Sequence, residues 1–167
     1  MTRYYWGGNK KTAPLRREHP ATPAAIASRR RRTNEGLMDR VFRILLVDDN
    51  ELVLKHVSFH LNQEPSLSVV GTATTGRTAV AMAAVLAPDV VLLDLMMPGL
   101  DGFETIPLLR ETVPEAQIIA LTSLEGDAYV ERARTAGFDA YVLKARMADM
   151  LVATIRAQVS AEKSNGA

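Results

Sequence analysis

The sequence predicts an α/β fold in which a parallel five-stranded sheet is covered by helices on both faces. Three observations predict it. Short apolar runs recur five times from Arg43 onward, and each is followed within a few residues by a stretch with helical spacing. The third run, Val90-Val-Leu-Leu93, is apolar at every position and half β-branched, as expected of a strand buried on both faces. The runs also stop on polar residues, which places carboxylates, hydroxyls and an amine where strands emerge into loops.

Taken in order, strand one is Arg43-Ile-Leu-Leu-Val-Asp48, and helix one covers about Glu51 to Asn62 with Leu54, Val57 and Leu61 on one face. Strand two is Leu67 to Gly71. Helix two opens at Gly76 and runs to about Leu86, where Pro88 stops it; Ala79, Ala81, Ala83 and Ala84 would let it approach the sheet closely. After strand three, Pro98-Gly99 and Asp101-Gly102 read as loop and then helix start. Helix three is expected from Gly102 to about Thr112, with Pro107 predicting a kink or a late start. Strand four is Ala116 to Leu121. Helix four spans about Asp127 to Ala136 and ends on Gly137, a good cap; strand five is Ala140 to Leu143. Helix five covers about Met147 to Val159, with Ala148, Leu151, Val152, Ile155 and Val159 on one face. Five β-α units with short right-handed crossovers give a three-layer, doubly wound (βα)5 sandwich of flavodoxin-like order 2-1-3-4-5, whose switch point falls between strands one and three.

Composition divides the chain in two. Of its 167 residues, those up to Arg40 carry ten Lys/Arg against three acids (+7), whereas the rest carry ten against sixteen (−6). Residues 1–40 hold Pro14, Pro20, Pro23 and the Arg29 to Arg32 run without apolar periodicity, and read as a disordered basic tail. A solvated tail is the plain reading of that run; an electrostatic hold on nucleic acid, with stacking by Tyr4, Tyr5 and Trp6, is the alternative. Met38 stands just before strand one as an alternative start. The ordered domain is expected over 41–160, with a disordered 161–167. Too little chain follows helix five for an attached DNA-reading domain, so a stand-alone domain is the expectation. No apolar run approaches the ~18 residues of a membrane span, and no apolar signal segment opens the chain, so a cytoplasmic address is expected. The absence of cysteine rules out disulfides, thiolate metal sites and cysteine nucleophiles.

The strand ends gather a distinct set: Asp48 and Asp49 after strand one, Asp94 after strand three, Thr122 and Ser123 after strand four, Lys144 after strand five. Crowded carboxylates repel unless a cation lies among them or their pKa values rise. Hard oxygen ligands suit Mg²⁺; His56 and His60, on one face of helix one, read as a solvated pair carried away from that edge. A hydroxyl, a fixed positive charge and a divalent metal around one carboxylate could together neutralise a phosphoryl group carried on Asp94.

Val47-Asp-Asp-Asn50, Asp94-Leu-Met-Met-Pro-Gly-Leu-Asp-Gly102, Leu121-Thr-Ser123 and Tyr141-Val-Leu-Lys144, in that order and each at a strand end, resemble the response-regulator receiver domains of bacterial two-component signalling, from about Arg43 to Val159. The resemblance implies a CheY-like phosphorylation switch, not an enzyme on other substrates, that acts only on its own phosphoryl group. It makes Asp94 the phosphoacceptor for a histidine kinase or phosphotransfer protein. It implies that Asp48, Asp49, Asp94 and the Met96 backbone carbonyl hold Mg²⁺, that Lys144 pairs with the acids and then the phosphoryl group, and that Thr122 moves to hydrogen-bond it while Tyr141 swings inward. Output is expected through the helix four, strand five, helix five face, with Tyr129, Arg132, Tyr141, Met147 and Met150 as candidate contacts; a homodimer stays open. Ala145 stands where relatives often have a cis proline, so a trans, more mobile loop is expected. Met96 and Leu124 are apolar where relatives often orient an attacking water, which implies a long-lived phosphoryl group. A Mg²⁺-dependent phosphohydrolase with an aspartyl-phosphate intermediate is the alternative, although Met96 occupies the place where a second acid is usual.

Overall fold

Residues 40–161 are described by the computed structural model; the basic tail, its Arg29 to Arg32 run and the C-terminal 162–167 lie outside them. Five parallel strands, β1 (Phe42–Val47), β2 (Leu67–Ala73), β3 (Val90–Leu93), β4 (Gln117–Thr122) and β5 (Ala140–Leu143), lie in the order β2-β1-β3-β4-β5. The helices are α1 (Glu51–Asn62), α2 (Gly76–Leu86), α3 (Gly102–Thr112), α4 (Asp127–Ala136) and α5 (Met147–Ala161).

Side chains that alternate along the strands divide between two cores. Leu45, Val47, Val91, Leu93, Ile118, Ala120 and Tyr141 pack with Ala79 and Ala83 of α2, Ile106 and Leu109 of α3, and Val130 and Ala133 of α4. Ile44, Leu46, Val90, Leu92, Ile119, Leu121, Ala140 and Val142 pack with Leu54, Val57 and Leu61 of α1 and with Leu151, Ile155 and Val159 of α5. Three central strands are thereby buried on both faces, which is why their sequences are nearly continuous hydrophobic runs.

Several helix faces differ from expectation. Ala81, Ala84 and Ala148 are exposed, while Met147 and Met150 are half-buried against the second core instead of standing free on the surface. α3 does not start late, and it runs on through Pro107. It begins at Gly102 under a reciprocal cap, in which Glu104 N–H donates to Asp101 Oδ1 (2.8 Å) and Asp101 N–H donates to Glu104 Oε2 (3.1 Å). Lys144 lies just past β5, opening a short 3₁₀ turn (Lys144–Arg146) that leads into α5. The turn contains no cis peptide, and Ala145 is the exposed residue at its centre.

Two glycines set the helices close to the sheet edge. A β-carbon on Gly102 would stand 2.4 Å from the Asp94 carbonyl oxygen and 2.7 Å from Leu95 Cα, both backbone atoms that cannot yield. One on Gly76 would stand 2.1 Å from Thr105 Oγ1, in the contact between α2 and α3. α3 therefore starts directly against the backbone that carries Asp94, and Gly102 N–H donates to the Leu95 carbonyl at 3.2 Å.

Candidate functional site: the acidic edge of the sheet

The site is assembled by register. β1 and β3 pair so that Val47 stands opposite Leu93, and Asp94 N–H continues that ladder by donating to the Val47 carbonyl at 2.9 Å. Asp48 and Asp94 consequently leave the sheet side by side. On the other flank, β4 and β5 pair Thr122 with Leu143, so the hydroxyl and the following Lys144 emerge together.

Burial separates the three acids. Asp48 is 1% and Asp94 4% exposed, whereas Asp49 faces solvent. One carboxylate oxygen from each can be chosen so that all three lie within 4.8 Å of one another. Asp48 Oδ1 is tied by the Asn50 N–H at 2.9 Å, and the Asn50 side chain in turn caps α1 by accepting from Leu52 N–H at 2.9 Å. Asp94 Oδ1 accepts the Met96 N–H at 3.2 Å, and Asp94 Oδ2 accepts from Lys144 Nζ at 2.6 Å.

One ammonium serves two buried carboxylates. Lys144 Nζ also lies 2.5 Å from Asp48 Oδ2, an enclosed oxygen that has to share this ammonium with Asp94. Burial pushes the Asp48 carboxyl above the usual range and the Asp94 charge adds to the rise, with Lys144 and the Asn50 N–H opposing it. Burial alone would lower the Lys144 ammonium; its pairing with Asp48 and Asp94 outweighs that and holds it above the ordinary lysine value. The arrangement thus contains more negative charge than one lysine satisfies. Two buried carboxylates that share one ammonium, with the Asp49 carboxylate beside them, are a fit donor set for a hard divalent cation.

Thr122 is fully buried, and its Oγ1 accepts from Leu124 N–H at 3.3 Å, which leaves its hydroxyl hydrogen outside that bond. Tyr141, expected to swing inward, already lies inside. It is 3% exposed, with the hydroxyl donating to the Leu124 carbonyl at 2.7 Å. Ser123 is exposed, and so is Met96, at 62%. A cleft of about 480 Å³ opens beside the acids, lined by Asp49, Met96, Met97, Pro98, Gly99 and Asp101. His56 is exposed as expected, while His60 is half-buried with its Nε2 covered, and neither joins the acidic cluster.

Geometry of this kind has counterparts. A match to the response regulator receiver domain covers residues 44–156. The chain belongs to the response regulator receiver family. The response regulator protein VraR of Staphylococcus aureus is 36% identical over 114 residues, which are 68% of this chain and 54% of that protein. Among solved structures, the response regulator domain of Thermotoga maritima CheB is 30% identical with a TM-score of 0.65, covering 70% of this chain and 95% of that one. A LuxR-family two-component response regulator from Aurantimonas sp. SI85-9A1 is 31% identical with a TM-score of 0.69, covering 72% of this chain and 86% of that one. The chain spans about half the length of the curated relatives it matches. Receiver domains act in phosphorylation-based signalling, in which they meet histidine kinases or phosphotransfer proteins and effectors. Among the described residues, no helix is long and apolar enough to cross a membrane.

Sequence reasoning placed Asp101-Gly102 at a helix start but did not name Asp101 as the cap of α3 or as a wall of the cleft; the Asp101-Gly-Phe-Glu104 spacing of a capping box was the available signal. It also passed over the tight fit at Gly102, for which a sequence offers no sign beyond the glycine itself.

Proposed function

We propose that Asp94 accepts a phosphoryl group from the phosphohistidine of a histidine kinase or phosphotransfer protein. The observation that carries this reading is the pairing of a nearly enclosed Asp94 with Lys144 at 2.6 Å, beside two further carboxylates. A carboxylate oxygen of Asp94 attacks phosphorus in line and the phosphorus–nitrogen bond breaks; with a proton already on its other ring nitrogen, the imidazole departs as a neutral base. Lys144, held cationic by the acids around it, stays beside the incoming phosphoryl oxygens. Thr122 turns its hydroxyl hydrogen to one of them, and Tyr141 keeps the space behind Thr122 filled.

Mg²⁺ would be held by Asp48, Asp49, Asp94 and the Met96 carbonyl, and when bound it neutralises carboxylate and phosphoryl charge. Output follows from a shift between two conformations of the α4-β5-α5 face, where Tyr129 and Arg132 are exposed. The domain catalyses only its own phosphorylation and its return to free Asp94. Met96 and Leu124 put no polar side chain beside the phosphoryl group, so the group is long-lived, persisting well beyond seconds.

Labelling with acetyl phosphate and Mg²⁺ tests the reading. Wild type should take up one phosphoryl per chain and stop, and Asp94→Asn should take up none. Labelling of Asp94→Asn at the wild-type level would sink it, while continued turnover of phosphate monoesters would favour a phosphohydrolase.

A further inference from the structure

We propose that Met96 is a site of reversible oxidation, at which a peroxide converts the thioether to a sulfoxide and so shortens the life of a phosphoryl group on Asp94. The inference rests on the reading of Asp94 as phosphoacceptor. Accessibility singles the residue out. Met96 is 62% exposed, Met97 is 6% exposed within the first core, and Met82, Met147 and Met150 are half-buried against the two cores. The chain has no cysteine, so no thiol of its own consumes the oxidant first.

Position makes the modification consequential. The Met96 N–H donates to Asp94 Oδ1, which fixes the residue one hydrogen bond from the acceptor carboxylate, and Met96 lines the cleft with Asp49 and Asp101. The chemistry balances with a peroxide as the co-reactant: a sulfur lone pair attacks one peroxide oxygen, the oxygen–oxygen bond breaks, sulfur gives up two electrons, and the second oxygen leaves as water. A dithiol reductase reverses it, its two thiols closing to a disulfide as the sulfoxide oxygen leaves as water. A thioether holds water poorly, whereas a sulfoxide oxygen is a strong acceptor. At the cleft it orients a water toward phosphorus; that water's oxygen bonds to phosphorus, the bond from phosphorus to the Asp94 oxygen breaks, and the free carboxylate returns.

The test uses the full chain, treated with dilute hydrogen peroxide, mapped by peptide mass spectrometry, labelled with acetyl phosphate and Mg²⁺, and followed for loss of label. Of Met82, Met96, Met97, Met147 and Met150, Met96 should gain oxygen first. Label should then leave about tenfold faster, a modest return for one water-orienting acceptor. Methionine sulfoxide reductase with a dithiol should restore the slow rate, and in Met96→Leu peroxide should leave the rate of loss where it was. The inference is overturned if another of those five is oxidised first, if Met96 sulfoxide leaves the rate unchanged, or if Met96→Leu still responds to peroxide. Absence of any label in untreated wild type overturns the reading of Asp94 itself, and this inference with it.

Discussion

At Lys144 two buried carboxylates share one ammonium, and removing it leaves both without a cation. Lys144→Met should lower stability at neutral pH by about 1–3 kcal/mol, below the full value for a buried pair because Nζ is partly solvated. Proton linkage gives the pH dependence. The folded Asp48 carboxyl lies above the ordinary aspartate value of 3.8, so the folded state holds that proton more tightly; stability falls as pH rises from about there through the folded value. The Lys144 ammonium is also raised, so it gives up its proton only as pH climbs through a value above 10.5; on the acid side it stays charged, and what it loses there is its partner, as Asp48 takes up a proton. Urea unfolding between about pH 3 and about pH 8 should therefore show the cost of Lys144→Met shrinking toward the acid end. A cost independent of pH would contradict the shared-ammonium account. That Asp48, Asp49, Asp94, Thr122 and Lys144 meet at one sheet edge was readable from sequence, because they stand at the ends of the apolar runs of β1, β3, β4 and β5. The resting position of Tyr141 was not. Whether a ring beside an edge strand points in or out depends on what the neighbouring loop accepts, here the Leu124 carbonyl, and no periodicity encodes that.

Among the helices, α3 shows a conflict between local propensity and fold. Pro107 has no N–H to give the Phe103 carbonyl, yet the helix runs from Gly102 to Thr112. Two other anchors hold it: the capping box at Asp101, and Phe103 itself, whose ring lies under Arg132 at 3.9 Å and meets Phe138 edge-on at 6.2 Å. Pro107→Ala restores the missing bond at an exposed position, and should stabilise the domain by about 1–3 kcal/mol in thermal or urea unfolding. No gain would mean that the surrounding backbone has already adapted to the ring. Gly102→Ala acts in the other direction. Its methyl group meets backbone, so a loss of about 1–3 kcal/mol is expected, together with weaker Mg²⁺-dependent labelling because the Asp94 segment must shift. The element boundaries were legible to within a residue or two, since Gly, Pro and Asp punctuate them. The exposure of Ala81, Ala84 and Ala148 was not, because alanine suits either face of a helix.

Across the whole molecule, the two edges of the sheet are built differently. Opposite the acids, Arg110 donates to the carbonyls of Ala116 (2.8 Å) and Gly137 (2.6 Å) and to Asp139 Oδ2 (2.5 Å), and the same Asp139 oxygen accepts Ile118 N–H. Arg43 donates to the Leu86 carbonyl, and Asp89 receives both Arg43 N–H and the Arg40 guanidinium. Side chains thus clasp the loops at the base. Sequence gave no warning of these contacts, since they join residues far apart whose charges read as ordinary surface.

The clasped base leaves protease sensitivity concentrated at the other rim. Between β4 and α4, Ser123, Glu125, Gly126 and Asp127 are all exposed, Gly126 sits at φ +113° with open space where a side chain would be, and α4 begins there without a side-chain cap. Within residues 40–161, a nonspecific protease at limiting dose should nick the chain there before it opens the loops held by Arg110. Occupancy of Asp94 should then change the speed of that first cut, which turns a digestion time course into a simple gauge of the switch.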